Sequence, residues 1–251
     1  MRKRALITGA TSGIGRATAH KLAVLGYDLI ITGRRSERLH GLKDELINLD
    51  IEVTPLVFDI RDRDATIKAW TELPIQKKVI DVLVNNAGLA AGADPINQGN
   101  WADWEQMIDT NIKGLLAMSQ LVIPGMIERK SGHIINVSSI AGKDVYANGN
   151  VYCATKHAVE AISKGMRIDL LQHHIKVSTI SPGMVETEFS IVRYHGDKAK
   201  ADNVYKGLTP LYAEDVADAI EFMVTRPAHV NVNDMLLMPA RQATGVYNYR
   251  D

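Results

Sequence analysis

Residues 5–15 read ALITGATSGIG, four strand-like residues (Ala5-Leu6-Ile7-Thr8) running straight into Gly9-Ala10-Thr11-Ser12-Gly13-Ile14-Gly15. The run after Gly15, Arg16 to Leu25, has helical composition and stops at Gly26. Strand, glycine turn and helix bring backbone N–H groups and the positive end of a helix to a pyrophosphate, with Gly9, Gly13 and Gly15 where a side chain would block the approach. Thr11, Ser12 and Ile14 belong to the same turn and to the same predicted nucleotide contact. Three glycines can also serve a tight turn that binds nothing, so the neighbouring segments decide.

Working outward, Asp28–Thr32 reads as a second strand, ending at Gly33-Arg34-Arg35. In such an arrangement the adenosine ribose lies there, and an acidic residue would accept from its 2′-hydroxyl and repel a 2′-phosphate. Arg34 and Arg35 instead offer two guanidinium forks suited to phosphate oxygens, so NADP(H) is predicted over NAD(H). The competing reading makes them solvent-facing residues ahead of a helix over Glu37–Leu49. Beyond it, Glu52–Phe58 and Ile80–Val84 are extended and Asp62–Glu72 helical. This alternation predicts an α/β fold, a single-domain Rossmann-type doubly wound parallel sheet with helices on both faces and ligands at the strands' carboxyl ends. Asp59-Ile60 falls at one such end, suited to an adenine edge, and Asn85-Asn86-Ala87-Gly88 at another.

The chemistry points to a later stretch. His133–Val137 reads as a buried strand that stops at Ser138-Ser139, and thirteen residues after Ser139 comes Tyr152, with Lys156 four further on. On a helix those two side chains are neighbours, and an ammonium beside a phenol favours the phenolate, so Tyr152 is predicted to titrate closer to neutral pH than the usual value of about 10. A serine at the strand end would then hold a carbonyl or alcohol oxygen. Tyr-x-x-x-Lys is also a common surface pair on helices, and Cys153 beside it has no activating base.

Length and composition set the limits. At 251 residues, with no Pro/Gly/Ser-rich linker, one domain over 1–251 is expected. Lys+Arg and Asp+Glu both total 29, which gives no case for nucleic acid or an anionic membrane surface. The apolar runs are strand-sized, no metal-ligand cluster is evident, and Met1-Arg2-Lys3-Arg4 leads into no signal-peptide apolar region, so a soluble cytoplasmic protein is expected. The lone Cys153 agrees with a reducing compartment.

With TGATSGIG at 8–15, NNAG at 85–88, Asn111, SS at 138–139, YCATK at 152–156 and Ser181-Pro182-Gly183 leading to Thr187, the chain resembles the short-chain dehydrogenase/reductase family over its whole length. The resemblance implies a catalytic tetrad of Asn111, Ser139, Tyr152 and Lys156, with Tyr152 exchanging the proton, Ser139 holding the substrate oxygen, and Lys156 lowering the tyrosine pKa and bonding the nicotinamide ribose. It also implies that Pro182, Gly183, Val185 and Thr187 flank the nicotinamide, that a lid over about 184–212 covers the substrate, and that helices over Trp104–Arg129 and Tyr152–His173 pair subunits into a homotetramer.

Within the family, NNAGLA at 85–90, MIDTNIKG at 107–114, GNVYCATK at 149–156, ETEFSIVRYHGD at 186–197 and AHVNVN at 228–233 look like the NADP-dependent 3-hydroxy acid dehydrogenases; DNVYKGLTP at 202–210 leans towards the sulfoacetaldehyde reductases of the same subgroup. Both imply a small anionic hydroxy acid or aldehyde. Burying such an anion requires a cation or several donors. Arg193 on the lid and Arg241 near the carboxyl terminus are the candidate cations; Tyr146, Asn148 and Asn150 are candidate lining residues, with Ser139 and Tyr152 at the reacting oxygen. A reading from another class, a catalytically silent nucleotide sensor, would leave the chain free to lose Tyr152 or Lys156, and it has lost neither.

Overall fold

In the computed structural model, which describes residues 2–251, β1 (Arg4–Ile7) is buried along its whole length. Ala5 and Ile7 pack into one apolar layer and Leu6 into another. The same split recurs in β2 (Asp28–Gly33), with Leu29 and Ile31 opposite Ile30. Strands apolar at consecutive positions need cover on both faces, and that is what excludes a sandwich or a half-exposed sheet. With β3 (Val53–Val57), β4 (Val82–Asn85), β5 (Gly132–Val137), β6 (Ile175–Pro182) and β7 (Asp234–Leu237) they form one seven-stranded sheet in the order β3-β2-β1-β4-β5-β6-β7. Every pairing is parallel, so the predicted doubly wound sheet is present. The strand order reverses direction between β1 and β4, and their carboxyl ends open the crevice where ligands bind in such sheets.

Nine helices follow in chain order among the described residues: α1 (Gly13–Val24), α2 (Ser36–Leu46), α3 (Arg63–Thr71), α4 (Trp101–Ile108), α5 (Leu115–Arg129), α6 (Asn150–Asp169), α7 (Phe189–Arg193), α8 (Lys198–Asn203) and α9 (Ala213–Val224). Leu22 of α1, Leu39 and Leu42 of α2 and Val216 and Ile220 of α9 cover one face; Met118, Val122 and Met126 of α5 cover the other. The continuous helix expected over Trp104–Arg129 is instead α4 and α5 joined by a π-helical turn, Asp109–Gly114. Such a turn holds an extra residue, and here it carries the buried Asn111. Gly114 lets this turn pack closely on Ile60, since a Cβ there would come within 3.0 Å of the Ile60 side chain.

Between β6 and α9 the chain leaves the sheet as an excursion carrying α7 and α8. Its stem is closed by two backbone bonds, Leu211 N to Met184 O at 2.9 Å and Glu186 N to Leu211 O at 2.8 Å. Arg193 O accepts from Gly92 N at 2.9 Å, which ties the excursion to the loop after β4.

His133 in β5 supplies a test of the core. It is buried, with Nε2 2.8 Å from Ser178 Oγ, and burial, reinforced by the charge of Lys176, pushes its pKa down from 6.5 to about 3. The unfolded chain therefore takes up this proton first on acidification: stability is unaffected above pH 6.5 and falls as the pH drops towards 3. We expect His133 to account for a loss of roughly 3 kcal/mol between neutrality and about pH 4. His133→Gln, which keeps an amide towards Ser178 and gains no proton, should flatten that slope in urea denaturation. An unchanged slope would assign acid lability to other groups.

Candidate active site

The glycine turn lies at the carboxyl end of β1, against the end of β4. Gly9 has φ +68°, and a Cβ on it would come within 2.9 Å of Ala87 Cα. At Gly15 a Cβ would collide with the Gly9 carbonyl and lie 2.5 Å from Asn86 Nδ2. Asn86 itself donates through Nδ2 to the Thr8 and Gly9 carbonyls at 2.9 and 3.2 Å. The turn after β1 and the loop after β4 are thus bonded into one floor, from which α1 departs with its amino end facing the crevice.

Above that floor runs a cleft of about 670 Å³. At one end stand Arg34, Arg35, Asp59 and Ile60; along it Gly9, Thr11, Ser12, Gly13, Ile14, Asn86, Ala87 and Gly88; at the other end Ser139, Tyr146, Tyr152, Lys156 and Arg193, with Pro182, Gly183, Val185 and Thr187 on the far wall. Gly15 and Asn111 sit behind the wall and shape it. The length, the glycine cradle and the guanidinium pair at one end fit a dinucleotide with a phosphate on its adenosine half.

At the other end α6 carries Tyr152 and Lys156 one turn apart, both buried. Ser139, two residues beyond β5, accepts from Ala141 N at 3.1 Å through Oγ and lies near enough to Tyr152 to pull the pKa of its phenol down. Lys156 Nζ donates to Val137 O at 3.0 Å. A Cβ on Gly88 would lie 3.3 Å from Asn111 Oδ1 and 3.4 Å from Lys156 Nζ, so both side chains converge on that glycine. Asn111 is fixed by bonds to Leu89 N and O, each 2.9 Å, and to Thr155 Oγ1 at 3.0 Å.

The expected lowering of the Tyr152 pKa is reversed in this arrangement. Burial pushes the Tyr152 phenol above its ordinary value and the neighbouring Tyr146 adds to this; the nearby Ser139 and the charge of Arg193 offset it only in part. Burial likewise lowers Lys156 to about 8, against the pull of Glu160. Tyr152 is therefore set as a proton donor at neutral pH.

The excursion closes this end. Phe189 packs on Tyr152 with ring centroids 5.6 Å apart, and the Arg193 guanidinium lies 5.6 Å from the Tyr146 ring and 5.9 Å from that of Tyr152. Nη1 donates to Tyr146 Oη at 3.3 Å, and Nε is buried without a partner. The polar groups that face Arg193 are the neutral phenols of Tyr146, Tyr152 and Tyr194, and among the described residues no carboxylate pairs with it.

Three candidates lie elsewhere. Arg241 pairs with Asp251 and stacks on Tyr249 at 5.6 Å, turned into the carboxyl-terminal tail. Asn148 takes a left-handed conformation, φ +62°, in the turn before α6, where its short polar side chain tolerates that backbone. Asn150 donates to Asp94 O at 3.0 Å and starts α6. Sequence reading missed Phe189, Arg38 and Glu188, whose roles come from contacts across long chain separations. It also missed Gln242, whose Oε1 accepts from Met184 N at 2.8 Å at the root of the excursion.

Residues 3–197 match the short chain dehydrogenase family profile. The chain belongs to that family. The NADP-dependent 3-hydroxy acid dehydrogenase YdfG of Salmonella typhi is 48% identical over 239 residues, 95% of each chain. Sulfoacetaldehyde reductase 2 of Chromohalobacter salexigens is 46% identical over 243 residues, 96% of each. The closed form of a serine dehydrogenase complexed with NADP+ superposes with a TM-score of 0.92 at 45% identity, covering 99% of both chains. Among the described residues no helix is long and apolar enough to cross a membrane, and no cluster of three or more His, Cys, Asp or Glu offers a metal site.

Proposed function

We propose that this short-chain dehydrogenase is an NADP(H)-dependent oxidoreductase interconverting a small anionic 3-hydroxy acid and its carbonyl form. The observation that carries the substrate class is Arg193, a shielded guanidinium without a carboxylate partner, stacked beside the ring of Tyr152. A desolvated cation requires a counter-ion, and a substrate carboxylate supplies one while its oxygen two or three atoms away reaches Tyr152. The relatives named for 3-hydroxy acids, serine and sulfoacetaldehyde point to the same kind of molecule. Reduction of sulfoacetaldehyde is the second reading, since a sulfonate suits the same guanidinium.

In this reading Gly9, Thr11, Ser12, Gly13 and Ile14 hold the pyrophosphate, Arg34 and Arg35 the 2′-phosphate, Asp59 and Ile60 the adenine, and Lys156, Pro182, Gly183, Val185 and Thr187 the nicotinamide half. NADPH, when bound, supplies the hydride that adds to the carbonyl carbon. Ser139 and Tyr152 hold the carbonyl oxygen, and the Tyr152 phenol gives it the proton that completes the alcohol. Lys156 orients the tyrosine through their shared helix face, and Asn111 fixes the Leu89 backbone behind both. We also assign residues 184–212 as a lid, a cytoplasmic location and a homotetramer. Leu116 of α5 and Ile168 of α6, 43% and 76% exposed, support pairing of subunits through these helices.

The test is a panel: NADPH oxidation with sulfoacetaldehyde, malonic semialdehyde and a neutral aldehyde, and NADP+ reduction with serine and 3-hydroxyisobutyrate. A preference for neutral substrates would overturn the assignment. Replacing Arg34 and Arg35 together by alanine should raise KM for NADPH by one or more orders of magnitude, because bonds from charged donors contribute about 1.5–3 kcal/mol each. NADH should lose less, only what the bonds of Arg35 to Thr11 and Ser12 lend the glycine turn. Equal losses with both cofactors would make the arginines loop supports.

A further inference from the structure

Glu188, one residue before α7, joins the excursion to the adenosine end of the cleft. Its Oε2 accepts from Arg35 Nη1 at 2.7 Å and its Oε1 from Arg38 Nη1 at 2.5 Å. Arg35 is otherwise committed to the glycine turn, with Nη2 donating to Thr11 Oγ1 at 2.7 Å and to Ser12 Oγ at 2.8 Å. One carboxylate, carried by the lid, thus bridges two guanidinium groups at the edge of the phosphate-binding turn. Burial alone would raise its pKa, yet bonds to Arg35 and Arg38 outweigh that and hold Glu188 ionised.

We propose that Glu188 is a specificity-determining residue: its carboxylate is a built-in competitor for the 2′-phosphate site, and Arg38 is a further member of that site. The proposal rests on the reading of Arg34 and Arg35 as the 2′-phosphate contacts. A phosphate monoester carries nearly two charges and three acceptor oxygens against the carboxylate's one charge and two, so it displaces Glu188 from the guanidinium groups. A ligand without that phosphate leaves Glu188 in place. The affinity for phosphorylated cofactor is then lowered by the competition, and its entry releases the lid from α2.

Calorimetric titration of 2′-AMP and 5′-AMP into wild type, Glu188→Gln and Arg38→Ala tests this with no turnover involved. Glu188→Gln should bind 2′-AMP about tenfold more tightly than wild type and 5′-AMP equally, while Arg38→Ala should bind 2′-AMP about tenfold more weakly, one charged hydrogen bond in each case. Limited proteolysis within 184–212 should accelerate when 2′-AMP is added to wild type and be fast from the start in Glu188→Gln. If Glu188→Gln binds 2′-AMP no better than wild type, or worse, Glu188 orients the arginines and does not compete, and the proposal is wrong. If wild type itself makes no distinction between 2′-AMP and 5′-AMP, the cofactor reading fails, and this proposal with it.

Discussion

Tyr152→Phe should lower kcat by at least ~10²-fold, the usual scale for a positioned acid or base, while the affinity for NADP+ changes little. The substitution keeps the ring, so the contact with Phe189 and the stacking of Arg193 survive. What disappears is the hydroxyl beside Ser139. Because burial keeps that phenol protonated well beyond neutrality, loss of the proton donor should be felt across the whole neutral range in the reductive direction. Single-turnover kinetics with saturating NADPH isolates the chemical step from cofactor release. A variant that keeps most of the wild-type rate there would remove Tyr152 from the chemistry and leave Ser139 and Lys156 without a partner to organise.

Much of this was written in short-range pattern. The glycine turn sits where two β-strand ends meet because Gly9 and Gly15 leave no room for a Cβ, and that requirement is local enough to be read from spacing. The alternation of strands and helices announced two covered faces, and the Tyr152–Lys156 spacing fixed their common helix face. What sequence did not carry were effects that depend on packing across the chain. The π-helical turn that carries Asn111 packs its Gly114 against Ile60, a contact the local sequence does not report. The raised Tyr152 pKa follows from burial and from the neighbouring Tyr146, which the spacing to Lys156 does not report. Arg241 was the second candidate cation after Arg193, and its pairing with Asp251 turns it away; Glu188 stands in the excursion with nothing nearby in sequence to mark Arg35 and Arg38 as its partners.

Arg193→Ala should depress kcat/KM for carboxylate or sulfonate substrates by ~10²-fold or more, while a neutral aldehyde of similar size loses little. Removing one partner of a desolvated charge pair typically costs about 3–5 kcal/mol, because the remaining ion is left buried without compensation. In the free protein Arg193 bonds a neutral phenol at 3.3 Å and leaves Nε unpartnered, so a substrate anion gains a donor that no other residue is using. The comparison between substrates is essential, since Arg193 also anchors the lid. Its backbone bond to Gly92 survives the substitution, but the stacking on Tyr146 and Tyr152 does not. A lid loosened by that loss would slow charged and neutral substrates alike. Arg193→Lys separates the two effects further: it keeps the charge and forfeits the planar stack, so a charge-reading role predicts partial rescue for the anion, and a purely structural role predicts none. Equal losses for charged and neutral substrates, with no rescue by lysine, would make Arg193 a lid anchor and return the search for the anion contact to Tyr146 and Ser139.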